Sequence, residues 1–164
     1  MKAVLSIALA ALAASPLSAQ HSDHPLVPAQ PEQNSEEASV RAVLSQYKES
    51  IEQLDATGTE RLFTADSAIF ETGGSEGTYA DYLAHHLGPE LKAFKSFRFS
   101  NYQVDVRFEG PVALATETYD YRIEIRDGEA VERRGVATSV LRKEGGAWKI
   151  VRMHNSGRTP RSAP

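Results

Sequence analysis

The last third of the chain predicts three long β-strands in succession, over residues 112–125, 130–142 and 148–156. Asp127-Gly128 and Gly145-Gly146 separate them, and such pairs are typical of tight turns between antiparallel strands. The final strand begins with apolar residues and ends with polar ones. This pattern predicts a cupped sheet whose far end lines a polar cavity. The concave face of such a sheet must be covered by other elements of the chain.

The segments before these strands predict mostly helices. Apolar residues recur at steps of three and four from about Asn34 to residue 55, which indicates one helix with an apolar face. A short second helix is predicted over 59–63, a short strand over 67–71 and a turn at Gly73-Gly74. A third helix over 78–94 contains Pro89, which should kink or divide it.

A further strand over 97–109 completes a four-strand meander that follows three helices. This order predicts an α+β fold, with N-terminal helices packed on one face of a strongly curved antiparallel sheet. The expected result is a cone with a central pocket.

The first residues predict an export signal. Lys2 precedes an apolar stretch over 4–14 that is too short to span a bilayer, and Ala19 offers a cleavage site before Gln20. We therefore expect a signal over 1–19, a flexible proline-containing leader over 20–34, one domain over 35–158 and a disordered tail over 159–164. The protein is expected to be periplasmic or secreted; the alternative is an N-terminal membrane anchor.

Composition narrows the range of partners. The chain has 18 Lys and Arg against 22 Asp and Glu, so removal of Lys2 with the signal changes its net charge from −4 to −5. A mildly acidic chain without a basic run is not expected to bind nucleic acid. No later apolar stretch predicts a membrane span. Without cysteine, no disulfide can stabilise the exported chain.

Three stretches carry a resemblance to a known family: Leu54-Asp55, residues 62–70 (LFTADSAIF) and residues 145–154 (GGAWKIVRMH). In this order, the chain resembles the SnoaL-like group of the nuclear transport factor 2-like superfamily over about 35–158. The resemblance implies a cystatin-like cone in which three helices close over a bent sheet. It also implies a pocket and a homodimer through the outer face of the sheet. The superfamily includes dehydratases, isomerases, cyclases, hydrolases and proteins that only bind, so the fold does not define a reaction.

The third helix carries the first group of candidate site residues. Tyr82, His86 and Glu90 are spaced four residues apart and share one helix face, whereas His85 points about 100° away from it. Tyr82 is predicted to contact a ligand. The spacing of His86 and Glu90 also suits two ligands of one metal ion.

The sheet carries the second group. His154 has the same strand parity as Trp148, Ile150 and Arg152 if no bulge intervenes, and the resemblance implies that a polar residue near this strand end reaches the pocket. Glu117 and Tyr119 share a strand face, although the sequence does not show which face is concave. The remaining ligand-binding candidates are listed together: Phe70, Thr138 and Arg152.

Three functions remain open. The first is the binding of a small, partly apolar molecule in the cavity. The second is a cofactor-independent lyase or isomerase, with His154 or His86 as base, Tyr119 polarising an oxygen and Glu117 orienting the base. The third is a copper or zinc site formed by His86, Glu90 and His154.

Overall fold

The structure is a computed structural model that describes residues 30–160. The predicted signal, most of the leader with its histidines and residues 161–164 of the tail lie outside this range. Helix α1 spans Gln30–Glu52 and so begins four residues before the predicted start near Asn34. Pro31 is compatible with this start because amide hydrogens in the first turn have no partner within the helix. Within the described range, no helix has the length and apolarity that crossing a membrane requires.

The other helical elements are short. A single 3₁₀ turn over Thr59–Leu62 replaces the predicted second helix, and Gly58 occupies its cap position. The predicted third helix is divided into α2 (Tyr79–Tyr82), a π-helical turn (Leu83–Leu87) and α3 (Gly88–Ala93). Thr78 caps this segment, since its hydroxyl accepts a 3.3 Å hydrogen bond from the amide of Asp81.

Six strands form one sheet in the order β2-β1-β6-β5-β4-β3. They are β1 (Phe63–Glu71), β2 (Gly74–Gly77), β3 (Phe94–Glu109), β4 (Val112–Ile125), β5 (Val131–Glu144) and β6 (Ala147–Arg158). The α+β prediction is confirmed, with helices packed on a curved sheet that does not close. Two details differ. β2 forms where only a turn was predicted, and β1 pairs with β6 in parallel, so the sheet is not antiparallel throughout as predicted.

The core lies between α1 and the concave face of the sheet. Val40 and Leu44 are almost fully buried on the helix, opposite Ala113, Leu141 and Ile150 on the sheet. Burial of one leucine side chain of this kind stabilises a fold by about 1.5–3 kcal/mol. The small alanine allows the helix to approach the sheet closely.

Glu36 attaches the first part of α1 to the hairpin between β5 and β6. One carboxylate oxygen accepts a 2.6 Å hydrogen bond from Nε1 of Trp148, and the other lies 2.6 Å from Nζ of Lys143. These two donors hold the pKa of Glu36 below its usual value. The contact fixes α1 over the sheet, so that its last turns lie above the other, open end of the cone.

Candidate functional site

A cavity of about 250 Å³ lies between the concave face of the sheet, the end of α1 and the segment from α2 to α3. Its wall is largely aromatic, with the rings of Tyr47, Phe97, Phe99, Tyr119 and Tyr121. A wall of this composition with a few polar groups is typical of a small-molecule site.

Two glycines make room for the tyrosines on the cavity floor. A Cβ on residue 135 would lie 2.2 Å from Cε2 of Tyr119, and a Cβ on residue 157 would lie 2.4 Å from the hydroxyl of Tyr121. Gly135 pairs with both Tyr119 and Gly157 across the sheet. Glycine inside a strand often marks such a close approach. The glycines therefore determine where the tyrosine rings lie.

The tyrosine hydroxyls of the cavity differ in their partners. Tyr82 donates a 2.7 Å hydrogen bond to Glu71. Among the described residues, no hydrogen bond is found for the hydroxyls of Tyr47, Tyr119 or Tyr121, although all three line the cavity. Burial and the nearby charge of Glu117 raise the pKa of Tyr119, which keeps its phenol neutral and able to donate.

Glu71 forms the polar end of the cavity. Its Oε1 accepts the bond from Tyr82 and a second one, of 3.1 Å, from Nδ2 of Asn155. Glu71 and Asn155 are neighbours on the paired strands β1 and β6, and both line the cavity. Two neutral donors thus orient this carboxylate toward the space in which a ligand would lie.

His86 stands beside Glu71 within a group of three carboxylates. Its Nε2 lies 3.4 Å from Oε2 of Glu71 and 3.4 Å from Oε1 of Glu90, and its Nδ1 lies 3.1 Å from Oε2 of Glu76. The imidazole is half-buried and contacts Tyr82, with a ring separation of 5.3 Å. His86 therefore links the short hairpin of β1 and β2 to the helical segment.

The carboxylates change the acidity of this group. Partial burial alone would lower the pKa of His86, but the hydrogen bond to Glu76 and the charges of Glu90 and Glu71 raise it above its ordinary value. Burial, and the negative charges of Glu71 and Glu76, raise the pKa of Glu90, although His86 opposes the change. Protonated His86 is thus favoured, and the carboxylates crowd one another.

The π-helical turn positions His86 between α2 and α3. The amide of Gly88 donates to the carbonyl of Leu83, five residues earlier. A Cβ on residue 88 would stand 2.6 Å from that carbonyl oxygen, so this turn requires glycine. Pro89 follows at a position where its missing amide hydrogen is tolerated. Turns of this type often occur at functional sites.

The structure places Glu117 and Tyr119 on the concave face. Glu117 is 7% exposed and accepts a short hydrogen bond from the hydroxyl of Tyr102. Burial raises the pKa of Glu117, while the bond from Tyr102 opposes this. Tyr119 lines the cavity, but Glu117 lies behind it. Glu117 contacts no His among the described hydrogen bonds, so the predicted role of orienting a histidine is not supported by its position.

A β-bulge in β6 overturns the predicted orientation of His154. Leu141 pairs with Ile150, but the next residue along β5, Val140, pairs with Arg152, so Val151 is an extra residue. The bulge reverses the alternation, and Met153 and Asn155 then face inward. His154 and Arg152 are exposed, which makes their prediction as pocket residues wrong.

The other sheet candidates lie near His154 on the outer face. Phe70 and Thr138 are its cross-strand neighbours on β1 and β5. Phe70 lies with its ring centre 6.5 Å from that of His154, and the two border a shallow depression beside Gly73 and Ser75. Thr138 is exposed. Neither residue lines the main cavity.

The predicted metal ligands are not brought together. His86 and Glu90 meet on the helical segment, as their spacing predicted, but His154 faces the opposite side of the sheet. Across residues 30–160, no group of three His, Asp or Glu side chains is arranged to hold a metal ion. Glu71, Glu90 and Glu76 approach opposite nitrogens of the same imidazole, which is an ion-pair geometry.

Sequence reasoning missed Glu71, Asn155 and Tyr102. A signal for Glu71 was present, because it follows the buried Ile69 by two residues on the same strand. Asn155 could have been found from the spacing of Ile150 and Met153, which breaks the two-residue alternation. Tyr102 lies within a bulge in β3, between Ser100 and Gln103, and had no comparable local signal.

Comparisons with known proteins support the family and the fold. The sequence model described as a SnoaL-like domain matches residues 40–160. A comparison with curated proteins found no match.

Several solved structures share the fold at low identity. A hexachlorocyclohexane dehydrochlorinase from Novosphingobium barchaimii has a TM-score of 0.69 and 12% identity, covering 80% of this chain and 92% of its own. A nuclear transport factor 2-like superfamily protein from Salmonella enterica has a TM-score of 0.68 and 20% identity, covering 80% and 96%. An NTF2-like protein with a cystatin-like fold from Novosphingobium aromaticivorans has a TM-score of 0.61 and 16% identity, covering 77% and 84%.

Proposed function

The chain belongs to the family of SnoaL-like domains, and from this premise we propose that it binds a small, largely apolar molecule in the cavity. The observation that carries the proposal is an aromatic cavity whose polar end, Glu71, is oriented by Tyr82 and Asn155. The hydroxyls of Tyr119 and Tyr121 offer further polar contacts to a ligand. Apolar surface and a few placed polar groups together give affinity and orientation.

The size of the cavity limits the ligand. A cavity of about 150 Å³ is sufficient for benzene in a protein interior. The space of about 250 Å³ found here therefore suits one ring with a short substituent. Large fused-ring molecules would require the helical segment to move away from the sheet.

Binding is tested with a panel of one-ring and two-ring compounds, followed by ligand-observed NMR and calorimetry. Ile123→Phe adds volume to the cavity wall, whereas Val140→Phe adds a phenyl ring at a position that does not line the cavity. We expect binding by wild type and Val140→Phe, and a loss of at least about tenfold in Ile123→Phe. Failure of the whole panel to bind, or equal affinity in Ile123→Phe, would contradict the proposal.

A second candidate function is cofactor-independent proton transfer, as in a lyase or isomerase. The specific observation in its favour is the contact between Glu71 and His86 at the cavity wall. Glu71 would accept a proton from a carbon next to a carbonyl, and Tyr119 would donate a hydrogen bond to the carbonyl oxygen. His86 and Tyr82 would hold the carboxylate in position.

This candidate predicts exchange of acidic C–H hydrogens of small aryl ketones in D₂O. NMR should show exchange above the buffer rate with wild type and a decrease of at least about 100-fold with Glu71→Gln. Glu129→Gln is the matched control, because Glu129 is exposed in the turn between β4 and β5 and does not line the cavity. Exchange at the buffer rate with wild type, or unchanged exchange with Glu71→Gln, would exclude this function for these substrates.

We also propose that two copies associate through the outer face of the sheet. Leu114 and Val136 are the exposed large hydrophobic residues of the described chain, each 40% exposed, and both lie on this face. Sedimentation should give a dimer for wild type and a monomer for Val136→Asp. A wild-type monomer at micromolar concentration would refute the dimer.

Export remains a proposal that rests on residues 1–19. Expression of the full chain in a Gram-negative host, followed by fractionation and N-terminal analysis, tests it. We expect a periplasmic protein that begins at Gln20. A full-length chain in the cytosol or membrane would contradict the proposal.

A further inference from the structure

We propose that the cavity selects ligands that carry a positively charged nitrogen, such as an amine or a quaternary ammonium group attached to a ring. The cation would lie at the polar end of the cavity, beside Glu71 and Glu90, with the ring against the aromatic wall. This inference rests on the proposed binding function and defines the chemical class of the ligand.

The charges around the cavity favour a cation. Glu71 and Glu90 both line it, and no Lys or Arg does within the described residues. His86 is the imidazole that faces this group, and it faces Glu76 as well as the two lining carboxylates. One imidazolium can balance one of three carboxylates, so the polar end keeps a net negative charge.

The nearest basic side chains have other partners. Lys48 lies 2.6 Å from the carboxylate of Glu52. Arg133 is the cross-strand neighbour of Tyr121 near the open end, and its guanidinium donates to the carbonyl of Glu132. Neither Lys48 nor Arg133 lines the cavity. An anionic ligand would therefore find phenol and amide donors but no Lys or Arg among the lining residues, and would face two carboxylates.

The aromatic wall provides the second part of such a site. The rings of Phe97 and Tyr121 stack with centres 5.4 Å apart, and those of Phe99 and Tyr119 meet edge to face at 4.9 Å. The faces of aromatic rings attract cations, and quaternary ammonium groups in particular. The same layer already contacts one cation, since Nζ of Lys48 lies 5.6 Å from the ring centre of Phe99.

Repulsion between the carboxylates at the polar end also favours a cation. The pKa of Glu90 is raised by burial and by the neighbouring negative charges, even though His86 opposes this. Like charges held together in a partly buried site disfavour the charged form. A bound cation would offset this repulsion, whereas a neutral ligand of the same shape would not.

Three probes of similar size separate the contributions of charge and shape. They are 3-hydroxyphenyltrimethylammonium, the neutral isostere 3-tert-butylphenol and the anion 3-hydroxybenzenesulfonate. Dissociation constants are measured by calorimetry and NMR at low salt with wild type, Glu71→Gln, Glu90→Gln and the exposed control Glu129→Gln. Both glutamine variants keep the shape of the side chain, and Glu71→Gln keeps an acceptor for Tyr82, so the fold is expected to be retained.

We expect the cation to bind about tenfold more tightly than the neutral phenol, and the anion to bind least. Glu71→Gln and Glu90→Gln should each remove most of this preference by weakening binding of the cation much more than binding of the phenol, while Glu129→Gln should match wild type. Equal affinity for cation and phenol would overturn the charge inference and leave the binding function standing. Binding of panel compounds without any binding of the cation would also overturn the charge inference alone. Absence of binding by every compound would overturn the charge inference and the binding function together.

Discussion

The ring of Tyr119 lies directly against the backbone of Gly135, so close that a Cβ on residue 135 would stand 2.2 Å from Cε2 of the ring. The two residues are cross-strand partners on β4 and β5. The absence of a side chain at one position thus determines the place of an aromatic ring at the other, and with it the shape of the cavity floor.

Gly135→Ala should displace the Tyr119 ring, because no real Cβ contact is that short. Overpacking of this kind costs about 1–3 kcal/mol in the free energy of unfolding, which urea denaturation measures. Ligand affinity in the cavity should change as well. The control is Gly128→Ala, whose added Cβ would meet the Ile125 side chain at 3.3 Å in an exposed turn. Wild-type stability and affinity in Gly135→Ala would show that the floor is not constrained in this way.

The bulge at Val151 separates the roles of two adjacent residues. Asn155 donates to Glu71 in the cavity, whereas His154 is exposed on the outer face. We expect Asn155→Ala to weaken binding of a panel compound by about two- to tenfold, the usual effect of one lost hydrogen bond. His154→Ala should bind as wild type does. Calorimetry with both variants tests the pair, and the opposite ranking would place His154 in the site.

Local sequence signals predicted the elements of the fold but not every strand orientation. Turn residues such as Gly145-Gly146 act within a few positions, and they placed the strands of the meander correctly. Pairing between distant strands leaves a weaker trace. The bulge at Val151 appears in the sequence only as apolar residues at 148, 150 and 153, where strict alternation would require 152.

The same distinction explains which site residues were found. His86 and Glu90 lie on one helix, so their contact follows from the helical repeat. Glu71 and Asn155 meet because β1 pairs in parallel with β6, a pairing that joins residues far apart in the chain. No local pattern predicts that a β1 carboxylate will stand beside a helix histidine.

The ion pairs of His86 make stability depend on pH. Because the carboxylates raise the pKa of His86 in the folded state, the folded chain binds more protons than the unfolded chain in this range. The stabilisation is complete below the ordinary histidine pKa and is lost as pH rises through the raised folded value. We expect the free energy of unfolding to fall as pH rises from the ordinary histidine pKa through the raised folded value, and to fall less in His86→Gln.

Urea denaturation across this range, on wild type and both histidine variants, measures the effect. His85→Gln is the matched control, since His85 is exposed on the same helical turn. It should keep the slope of the wild type. Equal slopes for wild type and His86→Gln would mean that the surrounding carboxylates do not raise the pKa of His86 in the folded chain.

Glu117 gives a second dependence on pH, from a buried carboxyl group. Burial raises its pKa in the folded state, although Tyr102 opposes this through a hydrogen bond. Below the ordinary carboxyl pKa, Glu117 is neutral in both the folded and the unfolded chain, so its ionisation does not change the free energy of unfolding. As pH rises through the folded pKa, the unfolded chain loses this proton first, and the free energy of unfolding falls. Glu117→Gln is neutral at every pH and keeps an acceptor for Tyr102. The stability of this variant relative to wild type should therefore increase as pH rises from the ordinary carboxyl pKa through the raised folded value.

Tyr102→Phe tests the same contact from the other side. It removes the hydroxyl that Glu117 accepts from, and a buried carboxylate without its donor costs about 1–3 kcal/mol. That loss should be largest at high pH, where the carboxyl is charged, and small in the Glu117→Gln background, because a neutral amide depends less on one donor. Denaturation of wild type, the two single variants and the double variant, at one low and one high pH, gives the coupling energy between Tyr102 and Glu117 directly. Additive effects at both values would show that Tyr102 supports the fold by packing and not by stabilising a buried charge.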